Sequence, residues 1–315
     1  MKVITRNNRL FYRRSFSDNV PIGVKIFSYI LITAFAVTCL MPVLITISSS
    51  FTDEEALAIN GYRLIPAKFS FDAYTYIFSN PKQVLRGFGI SVFSAVCTTI
   101  LGVLLMSMFA YAITRPSFPW RKQFQFFGFL PSLLPGSAVA TYIVYSQWYG
   151  LRDNIWVYVF IGAISMFNIL ILSTYFRTSI PHEVIESAQI DGAGELTTCF
   201  KIAFPMALPV MATIALFITV AQWNDVNTPL LYIVQRGDLV SLQLLLNRIE
   251  ENVKFLTQME STGGISTADL AQEQVALPSE AFKMALTVIA TLPMLISYPF
   301  FQQYFISGMT VGSIK

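Results

Sequence analysis

The chain has 315 residues, of which 54% are hydrophobic and only 12% charged, and its mean hydropathy is +0.58. The apolar residues stand in long blocks rather than in the short periodic runs of a water-soluble core, which excludes a soluble globular protein and indicates a polytopic membrane protein. The formal net charge of +3 is small and is explained by loop topology, so it gives no sign of nucleic acid as a partner.

A helix crosses the hydrocarbon with about 20 mostly apolar residues. Six blocks meet that requirement: Val24–Ser48, Gly87–Thr114, Phe124–Gln147, Asn154–Phe176, Met206–Trp223 and Phe282–Phe305. The predicted fold is therefore an all-α integral membrane protein, a six-transmembrane-helix bundle. Residues 1–23 form a basic cytoplasmic N-terminal segment, 24–305 the transmembrane domain and 306–315 a cytoplasmic tail. The first block is too long for a signal-peptide core and lacks a small-residue cleavage site, so it is read as a retained span.

Loop charges orient the bundle. Arg115, Arg121 and Lys122 crowd the second connection, whereas the third carries only Arg152 against Asp153. The even-numbered connections and both termini are thus placed in the cytoplasm. The first connection, Ser49–Arg86, reads as a small folded extracytoplasmic cap. The fifth, residues 225–281, opens with an amphipathic helix marked by Leu242, Leu245, Leu246, Ile249, Val253 and Leu256. It continues into Ser261–Ser279, whose Gly263–Gly264 pair and small polar residues suggest a mobile or partner-ordered stretch. Cys39, Cys97 and Cys199 fit neither a disulfide framework nor a metal site.

The fourth connection, 178–205, is cytoplasmic by this topology yet acidic, with Glu183, Glu186, Asp191 and Glu195 against Arg177 and Lys201. Pro181 suits a helix start, and Val184, Ile185 and Ala188 lie on one side of the short helix that follows. Asp191 and Gly192 mark a turn. Leu196, Phe200 and Ala203 then form the apolar stripe of a second short helix, closed by Pro205 where the next span begins. Such a knob fits a groove on a cytoplasmic partner; the alternative is a hairpin lying on lipid, which its acids oppose because the inner leaflet is itself negative.

Residues Glu186-Ser187-Ala188, Gly192, Ile202 and Phe204-Pro205 resemble the EAA signature of membrane subunits of binding-protein-dependent ABC importers. Ser187 and Phe204 stand where alanine and leucine are usual, and neither change alters the helix–turn–helix logic. "IPHEVIESAQIDGAGE" and the terminal "YPFFQQYFISGMTVGSIK" are similar to the carbohydrate-importer branch, in particular to permeases for oligosaccharides and polysaccharide fragments. The resemblance implies a type I importer bundle in which the EAA loop is a coupling helix seated in a separate ATPase subunit. It also implies a second homologous permease as heterodimer partner, two ATPase subunits, an extracytoplasmic sugar-binding protein and residence in a bacterial cytoplasmic membrane. The coupling residues are then Glu183 and Glu186 as acids, Asp191 and Gly192 as the turn, and Val184, Ala188, Leu196 and Phe200 as apolar packing. The chain has no G-x-x-x-x-G-K-[ST] loop, so ATP, if used, must be bound by another polypeptide; no cofactor is expected on this chain, and the resemblance implies ATP and Mg on the partner ATPase.

Sugars are held by aromatic faces and neutral hydrogen-bonding groups. The candidates for a substrate pathway are Tyr142, Tyr145, Gln147, Trp148 and Tyr149 at the outer end of the third span, Asn168 within the fourth, and Gln222, Trp223, Asn224 and Asp225 ending the fifth. The first group also suits an aromatic belt, and Asn168 a helix–helix bond. Pro131, Pro135, Pro293 and Pro299 are candidate kinks. Two rival functions are weighed. An ion-coupled secondary transporter calls for ionisable groups within its spans, which hold almost none. A membrane hydrolase lacks its parts, since the only histidine is His182 and no H-E-x-x-H occurs.

Overall fold

The computed structural model describes residues 21–79, 81–133, 136–261 and 280–312. Residues 1–20 of the predicted N-terminal segment 1–23, residues 313–315 of the predicted tail 306–315, Pro135 and nearly all of the Ser261–Ser279 stretch lie outside the described residues.

The described chain is helical, with a single isolated bridge, Thr52 to Phe69, outside helices and turns. Four helices are long and apolar enough to cross a bilayer: α1 (Ile22–Ser50), α4 (Pro81–Thr114), the continuous Glu195–Trp223 and the first part of α14 (Glu280–Gly312). Two further spans are each divided. One comprises α5 (Arg121–Leu133) and α6 (Ala138–Ile143), the latter continued by a π-helical turn (Val144–Trp148), at 114°. The other comprises α7 (Trp156–Gly162) and α8 (Met166–Ser179) at 54°. The spans number up to six if each bent pair is one crossing.

The α7–α8 break is visible in the backbone. Ser165 adopts extended backbone at φ −130° and ψ 124°, so the helix stops and restarts there. Pro131 falls inside α5, and Pro293 and Pro299 inside α14, without ending either helix. Side chains of α1 point outward along its apolar length, as a lipid solvent permits, and only Ser48, Ser49 and Ser50 at its end are buried.

Around α4 the rest is assembled. It packs on α7, α8 and α11 (Phe204–Trp223), while α11 and α1 both meet α14. The main core joins Met106, Ala110 and Ile113 of α4 to Leu172 and Phe176 of α8 and to Ala207, Ile214 and Ile218 of α11. A second cluster brings Ile77 of α3 (Asp72–Ser79) and Leu242, Leu244 and Leu245 of α13 (Leu242–Ser261) against Trp223, Leu286 and Ala290. The helix expected in the fifth connection is therefore present as α13, and its Leu242, Leu245, Leu246 and Ile249 pack on the bundle.

Odd-numbered connections gather at one end. Glu54 of α2 (Glu54–Asn60) accepts the backbone N–H groups of Glu280 and Ala281 at 3.0 Å each, capping α14, and the Tyr62 hydroxyl donates to Glu280 at 2.9 Å. Desolvation, then that bond to Glu280, pushes the Tyr62 hydroxyl up to about 12. Asp153 holds φ +53° and its Oδ1 accepts three successive N–H groups, from Val234 (2.8 Å), Gln235 (2.8 Å) and Arg236 (3.1 Å). The third and fifth connections are latched by that one carboxylate.

Candidate functional site: the 178–205 loop and its anchor

The loop begins where Ile180 leaves α8 in extended conformation, and Pro181 (ψ 135°) stands as N-cap of α9 (His182–Ile190), one position earlier than the sequence suggested. On α9, Ile185 and Ala188 turn into the protein, and Ile185 joins the main core. Glu183 and Glu186 are exposed, with Val184 at 37% exposure beside them. One face of α9 is thus fastened to the bundle and the other is presented outward.

The turn after α9 is a glycine C-cap. Gly192 has φ +82° and donates to Gln189 O at 3.0 Å, while Ala193 donates to Ala188 O at 2.9 Å. These are the two bonds of a Schellman motif, which satisfies the last carbonyls of the helix and asks for a left-handed residue at this position. Asp191 is the C-cap residue before it.

Beyond the turn the structure departs from expectation. No separate second helix closes at Pro205. Instead α10 (Glu195–Thr198) runs through a π-helical turn, Cys199–Ala203, into α11, and the whole of Glu195–Trp223 is one span. Pro205 is the second residue of α11, directly after the π-helical turn and inside the continuous helix. The stripe also differs: Leu196 is 68% and Phe200 43% exposed, whereas Thr198, Cys199 and Ala203 are buried. Phe200 packs on Phe204 with ring centroids 5.0 Å apart. Leu196 and Phe200 are therefore exposed, as Val184 is.

Glu195 was legible only as one acid among several, yet its carboxylate is the junction of the region. It receives the Tyr111 hydroxyl at 3.0 Å, the Arg115 guanidinium at 3.3 Å, the Ser117 hydroxyl at 3.3 Å and the Gln189 amide at 3.1 Å. Arg115 is 8% exposed and lies over the Tyr111 ring at 5.5 Å. Beside this group an apolar cavity of ≈ 450 Å³ is lined by Met108, Tyr111, Phe118, Leu196 and Cys199 among others. The second and fourth connections thus meet at one end of the bundle.

The candidate pathway residues do not converge. Tyr145 packs against Tyr149 and Tyr232, with ring centroids 5.8 and 6.4 Å apart. Asn168 is buried within α8 at 9% exposure. Gln222 is buried against Gly162 of α7 with its Nε2 unpartnered. Trp223 donates Nε1–H to Ala290 O at 3.0 Å and lies edge-on to Phe88. Asp225 accepts from Thr228 N at 3.1 Å, ahead of α12 (Asn227–Tyr232). Asn224 and Trp223 share a cavity of ≈ 330 Å³ with Gln243, Thr291, Ser297 and Tyr298, among others. Among the described residues no group of three His, Cys, Asp or Glu side chains converges as metal ligands would, and the three cysteines are free.

Residues 102–311 match the family described as binding-protein-dependent transport system inner membrane component. The polygalacturonan/rhamnogalacturonan transport system permease protein YtcP of Bacillus subtilis is 34% identical over 281 residues, covering 89% of this chain and 94% of that protein. Protein LplC of the same organism is 36% identical over 276 residues, covering 88% and 89%. In fold, the chain resembles a solved bacterial ABC transporter involved in the import of the acidic polysaccharide alginate. The TM-score is 0.74 at 22% identity, over 97% of this chain and 100% of that one. The chain therefore belongs to the family of binding-protein-dependent transport system inner membrane components.

Proposed function

We propose that this chain is the permease subunit through which an oligosaccharide, released by an extracytoplasmic binding protein, passes into the cytoplasm, driven by a separate ATPase that docks on the 178–205 loop. The observation that carries the reading is the geometry of α9. One face is packed into the bundle through Ile185 and Ala188, and the other offers Glu183, Glu186 and Val184, with Leu196 and Phe200 exposed beyond the turn. An amphipathic surface held on a rigid stem is what a groove on a partner can grip and push. A push on α9 passes through the core to α4 and α8, and through the turn into the continuous Glu195–Trp223 helix.

The names of the relatives supply the substrate class: besides the polygalacturonan/rhamnogalacturonan permease, a maltodextrin permease of Bacillus subtilis is 26% identical over 295 residues. The cavity lined by Trp223, Asn224, Gln243 and Tyr298 offers the aromatic and neutral polar groups that suit a sugar. A second permease subunit completes the pathway, ATP and Mg sit on the two ATPase subunits, and the positive charge of the 115–122 corner supports a cytoplasmic coupling end.

The test is to tag the chain, extract it gently from its native membrane and identify what copurifies by mass spectrometry. An ATPase, a second EAA-containing permease and a sugar-binding protein are expected, with the ATPase lost from a Glu186→Ala, Gly192→Pro double variant. Recovery of the chain without any ATPase would overturn the reading and bring forward an ion-coupled carrier.

A further inference from the structure

We infer that Glu195 is a positioning residue that makes α9 and the corner between α4 and α5 move as one body. This rests on the reading of the 178–205 loop as the ATPase-coupling element.

The Arg115 guanidinium, at 8% exposure, is costly to bury without an opposing charge, and the charge facing it is the Glu195 carboxylate. Removing that carboxylate leaves the cation unpaired in its pocket, so the pair is a demand of the fold and not a loose surface contact. Tyr111 serves the same junction twice, donating its hydroxyl to Glu195 and placing its ring face beneath Arg115.

The topology gives the pair its meaning. Tyr111 belongs to α4, Arg115 and Ser117 to the corner after it, Gln189 to the last turn of α9, and Glu195 to the first turn of the following span. Between Gln189 and Glu195 the chain makes only the glycine turn, which carries the two backbone bonds of Gly192 and Ala193 and has open space where a Cβ of Gly192 would lie. Without the carboxylate, α9 would pivot on that turn, tied by Ile185 and Ala188 alone. With it, displacement of α9 is handed directly to α4, the helix on which the rest of the bundle packs. Four donors on one carboxylate, from two separate stretches of chain, form a fixed joint rather than a hinge.

Spin labels at Lys122→Cys on the corner and His182→Cys on α9 test this, in the assembled complex, with Cys39 and Cys97 replaced by serine. In the otherwise native complex one narrow distance is expected, and it should stay unchanged when ADP and vanadate are trapped on the ATPase. Glu195→Gln should broaden it roughly two-fold or split it. Gln189→Ala, which leaves the ion pair in place, should broaden it less. Glu195→Gln combined with Arg115→Met removes the orphaned charge, so the yield of folded complex should recover while the distance stays broad. A merely structural role predicts that both recover together, and that result overturns the inference. So does a Glu195→Gln distance as narrow as the native one, or a native distance that changes on trapping. If the native complex contains no ATPase, the coupling reading fails on its own, and the widths of the untrapped distances still decide whether Glu195 joins the two elements.

Discussion

Gly102 is the position where a single methyl group tests the packing that aims the spans. A Cβ built there would lie 2.5 Å from the carbonyl oxygen of Ala163 and 3.1 Å from Ile218 Cδ1. An ordinary carbon–oxygen contact is about 3.3 Å, so Gly102→Ala must push the backbone at the α7–α8 break away by roughly 0.8 Å. The obstacle is main chain and cannot rotate aside, which places the cost toward the upper part of the ~1–3 kcal/mol range for overpacking. The gain in helix propensity, about 1 kcal/mol, offsets part of it and leaves a net loss of about 1–2 kcal/mol. Gly89 of the same helix has nothing within 4 Å of its would-be Cβ, so Gly89→Ala receives the propensity gain with no clash. Gly162→Ala should fall between, because its 2.5 Å neighbour is the mobile end of the Gln222 side chain. Heating the detergent-purified protein and following its monodisperse fraction by size-exclusion chromatography should rank stability as Gly89→Ala, then Gly162→Ala, then Gly102→Ala. A Gly102→Ala variant as stable as Gly89→Ala would refute the claim that this contact sets the direction of α8.

Three further outcomes follow from single contacts. Gly192→Pro cannot adopt φ +82° and loses the N–H that bonds Gln189 O, so ATP hydrolysis should continue in reconstituted complexes while sugar uptake falls, with membrane insertion intact; normal uptake would contradict the coupling role. Glu54→Ala should cost about 1 kcal/mol by uncapping α14, and hydrogen exchange at Glu280 and Ala281 should rise first. Asp153 is desolvated, which favours its neutral form, but the N–H groups of Gln235, Arg236 and Val234 together with Arg152 outweigh this and hold the carboxyl below its usual range. Its contribution is therefore complete above the unfolded value of about 3.9 and is lost as pH falls through the lower folded value. Asp153→Ala should abolish that part of the acid dependence of thermal stability, and an unchanged acid limb would show the latch to be idle.

The positions that were readable in the sequence and those that were not differ in the range of the interaction that decides them. Long apolar blocks and the Gly192 turn are local facts: twenty apolar residues need a bilayer, and a helix that ends in a left-handed residue asks for glycine. The α7–α8 break is not local. Nothing from Ala163 to Ser165 announces it, and its partner is Gly102 some sixty residues earlier. The Gln222–Asp225 run looked like a site because its members are adjacent. Consecutive residues on a helix point about 100° apart, so Gln222 meets α7, Trp223 meets α14, and only Trp223 and Asn224 share a cavity. Leu196 and Phe200 fit an apolar stripe by spacing, but the Glu195–Trp223 helix buries Thr198, Cys199 and Ala203 instead, because its orientation is set by the helices it meets. Arg115 shows the same limit in electrostatic form. It was readable as one positive charge orienting a loop, and Glu195 as one negative charge opposing that rule. Each exception resolves when the two are seen 3.3 Å apart: the acid in the basic end of the bundle is there to pair a buried cation, so the charge bias that orients the chain and the joint that would transmit its motion use the same arginine.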